Sequence, residues 1–188
     1  ENSAYHNALD ETQAIIERLK TFLKEKLKKE VDKDINKEAN YPSHLNVAFH
    51  KEKWKIRDEN NISYIVGFFY ERAKSRKLLP EYNHCFGIRV KIEESEKSKS
   101  LKNKCIKFRN KLNKTIREDL KRCGVIIRSA SDEWVCSIEK GQTALEKDEE
   151  FNDWMSRVVG KVVELAKKAT PIIDECVDEY LKKNNIVN

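Results

Sequence analysis

The chain contains few of the residues that interrupt regular structure. Its 188 residues include five glycines and three prolines, and the glycines stand singly at separated positions. Neither a G-x-G-x-x-G turn nor a P-loop can be formed, which excludes the usual phosphate-binding loops of nucleotide enzymes. The longest uninterrupted apolar run is also far below the roughly 18 residues that a membrane span requires. We therefore expect no membrane partner.

The cysteines lack the spacing that metal sites and disulfide frameworks use. They are odd in number and far apart: Cys85, Cys105, Cys123, Cys136 and Cys176. A zinc site or a disulfide framework typically has pairs at short spacing, such as C-x-x-C, and there are none. We interpret them as buried free thiols, which indicates a reducing compartment and a cytoplasmic protein without metal or cofactor.

Recognisable catalytic groupings are missing as well. A metal-dependent nuclease needs an E-x-K or D-x-K triplet on a strand, where its carboxylates hold Mg²⁺. Asp119-Leu120-Lys121 has this spacing but falls in a predicted helix whose core needs Leu120. His84 and Cys85 are adjacent on a predicted strand, so their side chains should point to opposite faces. We therefore nominate no catalytic residue and expect binding, while an enzyme assembled from scattered residues remains an alternative.

The N-terminal region has the pattern of one long amphipathic helix from about Ala8 to Ala39. Proline at position 42, in the Asn40–Ser43 segment, cannot continue the helical hydrogen bonds and should end it. Apolar residues recur at intervals of three and four, as expected for one buried stripe. These residues are Ile15, Leu19, Phe22, Leu23, Leu27, Val31 and Ile35.

The middle of the chain has the pattern of β-strands. Apolar residues alternate around Val47 and again at Trp54 and Ile56, on either side of a polar tip at His50 to Lys53. The run Ile62–Tyr70 is apolar on both parities, which is typical of a central strand. Phe86–Ile92 alternates cleanly, so one face should be buried and the other wet.

The pattern of the second half of the chain predicts a helix, then a β-hairpin and then a further helical region. A helix from about Ser98 to Arg122 stops at Cys123-Gly124. Its predicted buried stripe consists of Leu101, Cys105, Phe108, Leu112, Ile116 and Leu120. The segments Val125–Arg128 and Trp134–Ile138 are expected to form a hairpin. Acidic residues at 148–150 and 153 favour the start of the last helical region. Thr170-Pro171 allows either a new helix or one continuous kinked helix.

Together these elements predict an α+β fold. We expect an antiparallel sheet of about five strands with long helices packed on one face. The length favours a single domain, residues 1–188, with a long N-terminal helix over 1–40. Residues 41–188 would then hold the sheet, the basic helix and the C-terminal helices.

One segment has an unusual concentration of positive charge. Residues 97–122 contain eleven basic and two acidic residues, a net of +9, although the whole chain carries +6. Five lysines fall opposite the buried stripe of the predicted helix and form what we call the basic ridge. The ridge consists of Lys104, Lys107, Lys111, Lys114 and Lys121, and a basic loop adds Arg72, Lys74, Arg76 and Lys77.

Three interpretations of this charge remain open. A lysine ridge suits DNA or RNA, because neutralising backbone phosphates releases counterions. Lysine lacks the bidentate fork of arginine, so such binding would be weakly sequence-specific. The ridge could also face an acidic protein partner, or it could be a solvated surface that maintains solubility. We favour a non-enzymatic nucleic-acid-associated domain and keep a protein-interaction module as the alternative.

The pattern of the second half supports a family comparison. A basic helix leads to Gly124–Arg128 and the Trp134–Ile138 strand, and Phe151–Met155 opens a helical region that continues to Pro171–Ile173. This pattern resembles the C-terminal accessory regions of uncharacterised bacterial and phage proteins of the PD-(D/E)XK nuclease superfamily. The metal-binding triplet of that superfamily is missing here. The resemblance implies an appendage to a nuclease or a degenerate relative, associated with restriction or phage defence.

Overall fold

The computed structural model describes residues 2–41, 46–57, 63–73, 83–92, 109–117, 120, 123–128 and 134–183. In this part of the chain, α1 spans Asn2–Glu30, α2 spans 109–117, α3 spans Lys140–Thr143 and α4 spans Phe151–Lys183. The strands are β1 (Lys37–Tyr41), β2 (Asn46–His50), β3 (Lys55–Arg57), β4 (Ser63–Ala73), β5 (Asn83–Ile92), β6 (Val125–Ile127) and β7 (Trp134–Ile138). None of the helices described is long and apolar enough to cross a membrane.

The strands form one antiparallel sheet. Their order is β1-β2-β4-β5-β7-β6, and β3 pairs with the beginning of β4. The predicted α+β class is confirmed, with seven strands in the described residues in place of about five. β4 and β5 form the centre, paired from Tyr64 opposite Ile92 to Ala73 opposite Asn83. This central position explains why the β4 sequence is apolar on both parities.

The long helices pack on one face of the sheet, as the sequence predicted. Even-numbered side chains of β4 and β5 join the main core with apolar residues of α1 and α4. Arg18 of α1 donates a hydrogen bond to Asn152 at 3.0 Å, and Lys167 lies 3.7 Å from Glu30. The two helices therefore run side by side in the same direction. The core residues nearest the sheet centre include Val66, Phe68, Tyr70, Phe86, Ile88 and Val90.

The predicted helix over 8–39 is wrong at its C-terminal end. α1 stops at Glu30, and Lys37–Tyr41 pairs with β2 as an edge strand. Polar residues such as those of β1 have low strand propensity, but hydrogen bonding to a neighbouring strand outweighs that preference. The buried stripe also differs by one position, because Ile16 is 5% exposed whereas Ile15 is 37% exposed.

The predictions for the second half hold in the residues that are described. Leu112, Ile116 and Leu120 are fully buried, and β6 pairs with β7 as an antiparallel hairpin. Gly124 has a φ of 66°, a conformation that glycine adopts at helix ends without steric cost. Three further residues of the predicted stripe, Leu101, Cys105 and Phe108, lie outside the described residues.

The C-terminal region is a single helix. α4 continues through Pro171, and Thr170 does not begin a new helix. The structure thus decides between the two alternatives that the Thr170-Pro171 pair left open. The acidic residues before Phe151 lie at the start of α4, where the carbonyl of Glu150 accepts hydrogen bonds from the amides of Asp153 and Trp154. This placement confirms that they are helix-start residues.

Candidate functional site

The basic ridge is described at two of its five positions. Lys111 and Lys114 lie on α2, and both are exposed, while Leu112 between them is fully buried. This arrangement is the one expected for a helix with an apolar stripe and a charged outer surface. The other three ridge positions, Lys104, Lys107 and Lys121, lie outside the described residues. The ridge as a whole therefore stays a prediction.

The basic loop falls almost entirely outside the described residues. Lys74, Arg76 and Lys77 are not described, and the backbone of Arg72 lies in β4 opposite His84 of β5. That the basic loop and the basic ridge form one binding surface therefore stays a prediction.

Lys111 is held by a partner on α4. Its ammonium donates a hydrogen bond to the carboxylate of Glu179, and both side chains are about half exposed, at 47% and 52%. The hydrogen bond raises the pKa of Lys111 and lowers the pKa of Glu179. Exposed pairs of this kind contribute little to stability. The positive charge of Lys111 is therefore partly compensated by Glu179.

Two cations of α2 have no such partner among the described residues. Lys114 and Arg117 are exposed, and no carboxylate in the described part of the chain lies within 4 Å of either. Arg109 differs, because it is only 4% exposed and lies toward the core. One of the eleven basic residues in 97–122 is thus not part of the outer surface. Within residues 97–122, the exposed cations that have no described carboxylate partner are Lys114 and Arg117.

A buried lysine forms a charge cluster with two carboxylates. Lys51 follows β2 and is 7% exposed at its side chain. Its ammonium lies 2.6 Å from Asp32, just after α1, and 2.6 Å from Asp174 on α4. The indole N–H of Trp54 donates to the other oxygen of Asp174 at 2.8 Å. The cluster therefore connects three separate elements of the fold.

The electrostatics of this cluster favour its charged form. Burial alone would lower the pKa of Lys51, but hydrogen bonds to Asp174 and Asp32 outweigh it, so the pKa is raised. The pKa of Asp32 is lowered by the Lys51 hydrogen bond and by the amide of Asp34. Lys51 and His50 do not form the predicted polar tip, because they are only 6% and 4% exposed. No pattern in the sequence distinguishes Lys51 from the exposed lysines around it.

His84 lies in an aromatic group and not at a sheet edge. Its Nδ1 is 2.8 Å from the hydroxyl of Tyr70, and its ring centroid is 5.0 Å from that of Trp154. Cys85 lies on the other face of the sheet, where it packs against a small apolar cluster of Ala48, Ile65, Phe69 and Trp134. The expected opposite orientation of the His84 and Cys85 side chains is therefore confirmed. This separation prevents His84 from activating the Cys85 thiol. The contacts of His84 are those of a packed core side chain.

The second face of the sheet carries aromatic rings and cations. The Arg89 guanidinium lies 5.8 Å from the ring centroid of Phe69 and 5.5 Å from that of Trp134, and it donates to Glu71 at 3.0 Å. Phe69 and Trp134 are only 1% and 8% exposed. Bases stack only on accessible rings, so these two aromatics are unavailable for nucleic-acid stacking. Arg89 is half-buried. The face of β5 that was predicted to be exposed to water is therefore partly buried in the structure.

The described thiols are unsuited to nucleophilic chemistry. Cys85, Cys123, Cys136 and Cys176 are free, and two of them are buried. Burial raises the pKa of Cys136 to about 12, and it also raises the pKa of Cys85 and Cys176. Protonated thiols are weak nucleophiles and weak metal ligands. In the described part of the chain, no group of three His, Cys, Asp or Glu side chains could hold a metal ion.

A shallow cleft separates α1 from α4. It has a volume of about 350 Å³, with Phe22, Val159 and Val163 among its lining residues. Three of its four charged lining residues are paired with one another, since Glu30 lies 2.7 Å from Lys26 and 3.7 Å from Lys167. A ligand would therefore contact charges of both signs, most of which already have an opposite charge beside them. This arrangement points to no particular ligand charge.

We compared the chain with models of known protein families, with curated protein sequences and with solved structures. No family model, curated protein or solved structure matches it. The resemblance to accessory regions of PD-(D/E)XK proteins therefore stays a hypothesis from the sequence pattern. The function has to be argued from the residues themselves.

Proposed function

We propose that this protein is a non-enzymatic, nucleic-acid-associated domain that binds the phosphate backbone of DNA or RNA through its basic helix. The observation that carries the proposal is the net charge of +9 over residues 97–122, in a chain whose total is +6. The rest of the chain is therefore net negative, and the net positive charge comes from this segment. Such a distribution gives a nucleic acid one preferred side of approach.

The orientation of α2 supports the proposal. Leu112 and Ile116 anchor the helix in the core, which leaves Lys114 between them and Arg117 just after them facing outward. Lys114 and Arg117 are exposed there without an ion pair to any described carboxylate. Contact with a phosphate would therefore cost neither cation an ion pair with a described carboxylate. These two residues are therefore expected to contribute more than Lys111.

The proposed binding is electrostatic and weakly specific. The ridge is built mainly of lysines, which neutralise phosphates as point charges and do not form the arginine fork that recognises guanine. The large aromatic side chains on the second sheet face are buried, so base stacking on that face does not contribute. Affinity should therefore fall steeply with salt and differ little between sequences.

The test uses a charge-reversal pair on α2. The double variant Lys114→Glu/Arg117→Glu changes two exposed residues and leaves the Lys111–Glu179 pair intact. Lys147→Glu/Lys168→Glu is the matched control, because both lysines are exposed and the net charge changes equally. Fluorescence anisotropy with labelled single- and double-stranded DNA and with RNA, over a range of salt concentrations, gives the affinity and its salt slope.

We expect the α2 variant to bind at least about tenfold more weakly than wild type. Its log–log salt slope on duplex DNA should be shallower by about 0.9 for each lost phosphate contact. The control variant should lose much less affinity. Absence of wild-type binding at low salt would reject the proposal, as would equal losses in the two variants. A partner complex that persists at high salt would instead favour the protein-interaction alternative.

A further inference from the structure

The strand β6 ends the sheet on one side. It pairs with β7 through the register Val125 to Ile138, Ile126 to Ser137 and Ile127 to Cys136. In the part of the chain that the structure describes, no strand pairs with the other side of β6. An edge strand exposes a row of backbone donors and acceptors that can pair with another strand.

The hydrogen bonds at both ends of β6 fix the direction of its backbone groups. The amide of Glu139 donates to Gly124 at 3.2 Å, and the amide of Arg128 donates to Val135 at 3.1 Å. Residues 124, 126 and 128 therefore face β7, because directions alternate along an antiparallel strand. The N–H and C=O groups of Val125 and Ile127 consequently point away from β7. Their outward groups have no hydrogen-bond partner among the described residues.

The side chain at the middle of β6 is apolar and exposed. Ile126 is 44% exposed, and it is the one exposed large apolar side chain in a described strand. β1, the opposite edge strand, has Lys37 and Glu38 exposed, and charges of this kind discourage pairing with another chain. The three residues of β6 include no charge. The two edges of the sheet are thus protected very unequally.

We propose that β6 pairs with β6 of a second copy of this chain, antiparallel and about a two-fold axis through Ile126. The outward groups sit at Val125 and Ile127, which are symmetric about Ile126. Val125 of one copy therefore faces Ile127 of the other, and each such pair exchanges both N–H···O=C bonds. The two Ile126 side chains meet in the closely spaced non-hydrogen-bonded position.

A second copy fits this edge because the edge is self-complementary. A two-fold interface requires the same patch to match itself, and the outward hydrogen-bonding groups and Ile126 satisfy that requirement together. The sheet of one copy then continues into the sheet of the other. A three-residue strand buries little surface, so the dimer should be weak and dependent on concentration. This inference does not depend on nucleic-acid binding, and its test uses no nucleic acid.

The first test measures association by sedimentation equilibrium between about 5 µM and about 500 µM, a range that covers weak dimers. Wild type should shift from monomer to dimer, and Ile126→Lys should raise the dissociation constant at least about tenfold, because two lysines then face each other. Leu145→Lys is the matched control, since Leu145 is 61% exposed but lies outside the strands. It should dimerise like wild type. A wild-type monomer throughout this range overturns self-pairing and leaves the edge to a strand of another protein.

A second test locates the interface without any substitution. Amide hydrogen exchange by NMR should show protection of Val125 and Ile127 that increases with protein concentration. The amide of Ile126 already faces β7, and its protection should be less dependent on concentration. If dimers form while the Val125 and Ile127 amides exchange at an unchanged rate, the interface lies elsewhere and the proposal is overturned.

Discussion

Lysine has two different environments in this molecule, one at the junction of β2 with α4 and one on the surface of α2. At the junction, the Lys51 side chain is 7% exposed and is held by Asp32 and Asp174, each at 2.6 Å. On α2, Lys114 is exposed without a described carboxylate within 4 Å, and Lys111 has one exposed partner, Glu179. The comparison separates charge that maintains the fold from charge that is accessible to a ligand.

The difference follows from desolvation. A buried ammonium loses its hydration, so it is stable only where several acceptors replace the water. Lys51 has acceptors from two elements, and Trp54 and Lys53 fix the position of Asp174 through contacts of 2.8 Å and 3.1 Å. An exposed lysine keeps its hydration and contributes little to the free energy of unfolding. Substitutions in the two regions should therefore separate stability from binding.

The largest effect on stability is expected from substitution of Lys51. Lys51→Met keeps a long side chain but leaves Asp32 and Asp174 without their buried partner, which should cost about 3 kcal/mol of unfolding free energy. Urea denaturation followed by circular dichroism measures this change. The matched control is Lys114→Met, an exposed site where we expect a change within about 0.5 kcal/mol. Similar stabilities for the two variants would contradict the assigned role of Lys51.

An intermediate effect on stability is expected from Asp32 of the same cluster, and this effect should depend on pH. The pKa of Asp32 is lowered in the folded state by Lys51 and the Asp34 amide. Its contribution to stability is therefore present above the ordinary aspartate pKa and is lost as the pH falls through the lowered folded value. Asp32→Asn should be less stable than wild type at neutral pH, and the difference should shrink as the solution is acidified.

Thermal unfolding at a series of pH values measures this difference. Asp34→Asn is the control, because Asp34 is exposed and contributes its backbone amide to the cluster, not its carboxylate. It should follow wild type across the whole range. A stability gap between Asp32→Asn and wild type that stays constant down to acidic pH would show that ionisation of Asp32 is not its source.

The smallest effect on stability is expected at the exposed pair. Lys111→Met removes the hydrogen bond to Glu179, but water solvates both groups, so the thermal midpoint should match that of wild type. The same variant should bind duplex DNA more weakly and with a shallower salt slope, because one phosphate contact is lost. Glu179→Gln serves as the converse and should bind at least as tightly as wild type. A large loss of stability in Lys111→Met would place this lysine in the structural group with Lys51.

Local patterns predicted much of the fold, and tertiary pairing accounts for the errors. The apolar run that became β4 was assigned to a central strand because both parities are apolar, and the structure places it there. The end of the first helix was assigned incorrectly, because Lys37–Tyr41 becomes a strand only through its hydrogen bonds to β2. A charged segment with weak intrinsic preference gives no warning of such a partner.

The candidate site was predicted from charge density, which is a property of composition along the chain. That density identified residues 97–122 but could not show that Arg109 lies toward the core or that Lys111 meets Glu179. Both facts depend on tertiary packing, and the second depends on where α4 packs relative to α2. The buried role of Lys51 was missed for the same reason, since its two acceptors come from positions 32 and 174, far apart in sequence.

The sequence by itself determined the α+β class, the apolar stripes of the helices and the segment in which positive charge is concentrated. These are properties of short windows, in which periodicity and composition act locally. Only the tertiary structure decided which lysines are buried, which edge of the sheet lacks charged protection, and that α4 continues through Pro171. Those properties depend on desolvation and pairing between distant residues, and no local pattern specifies them.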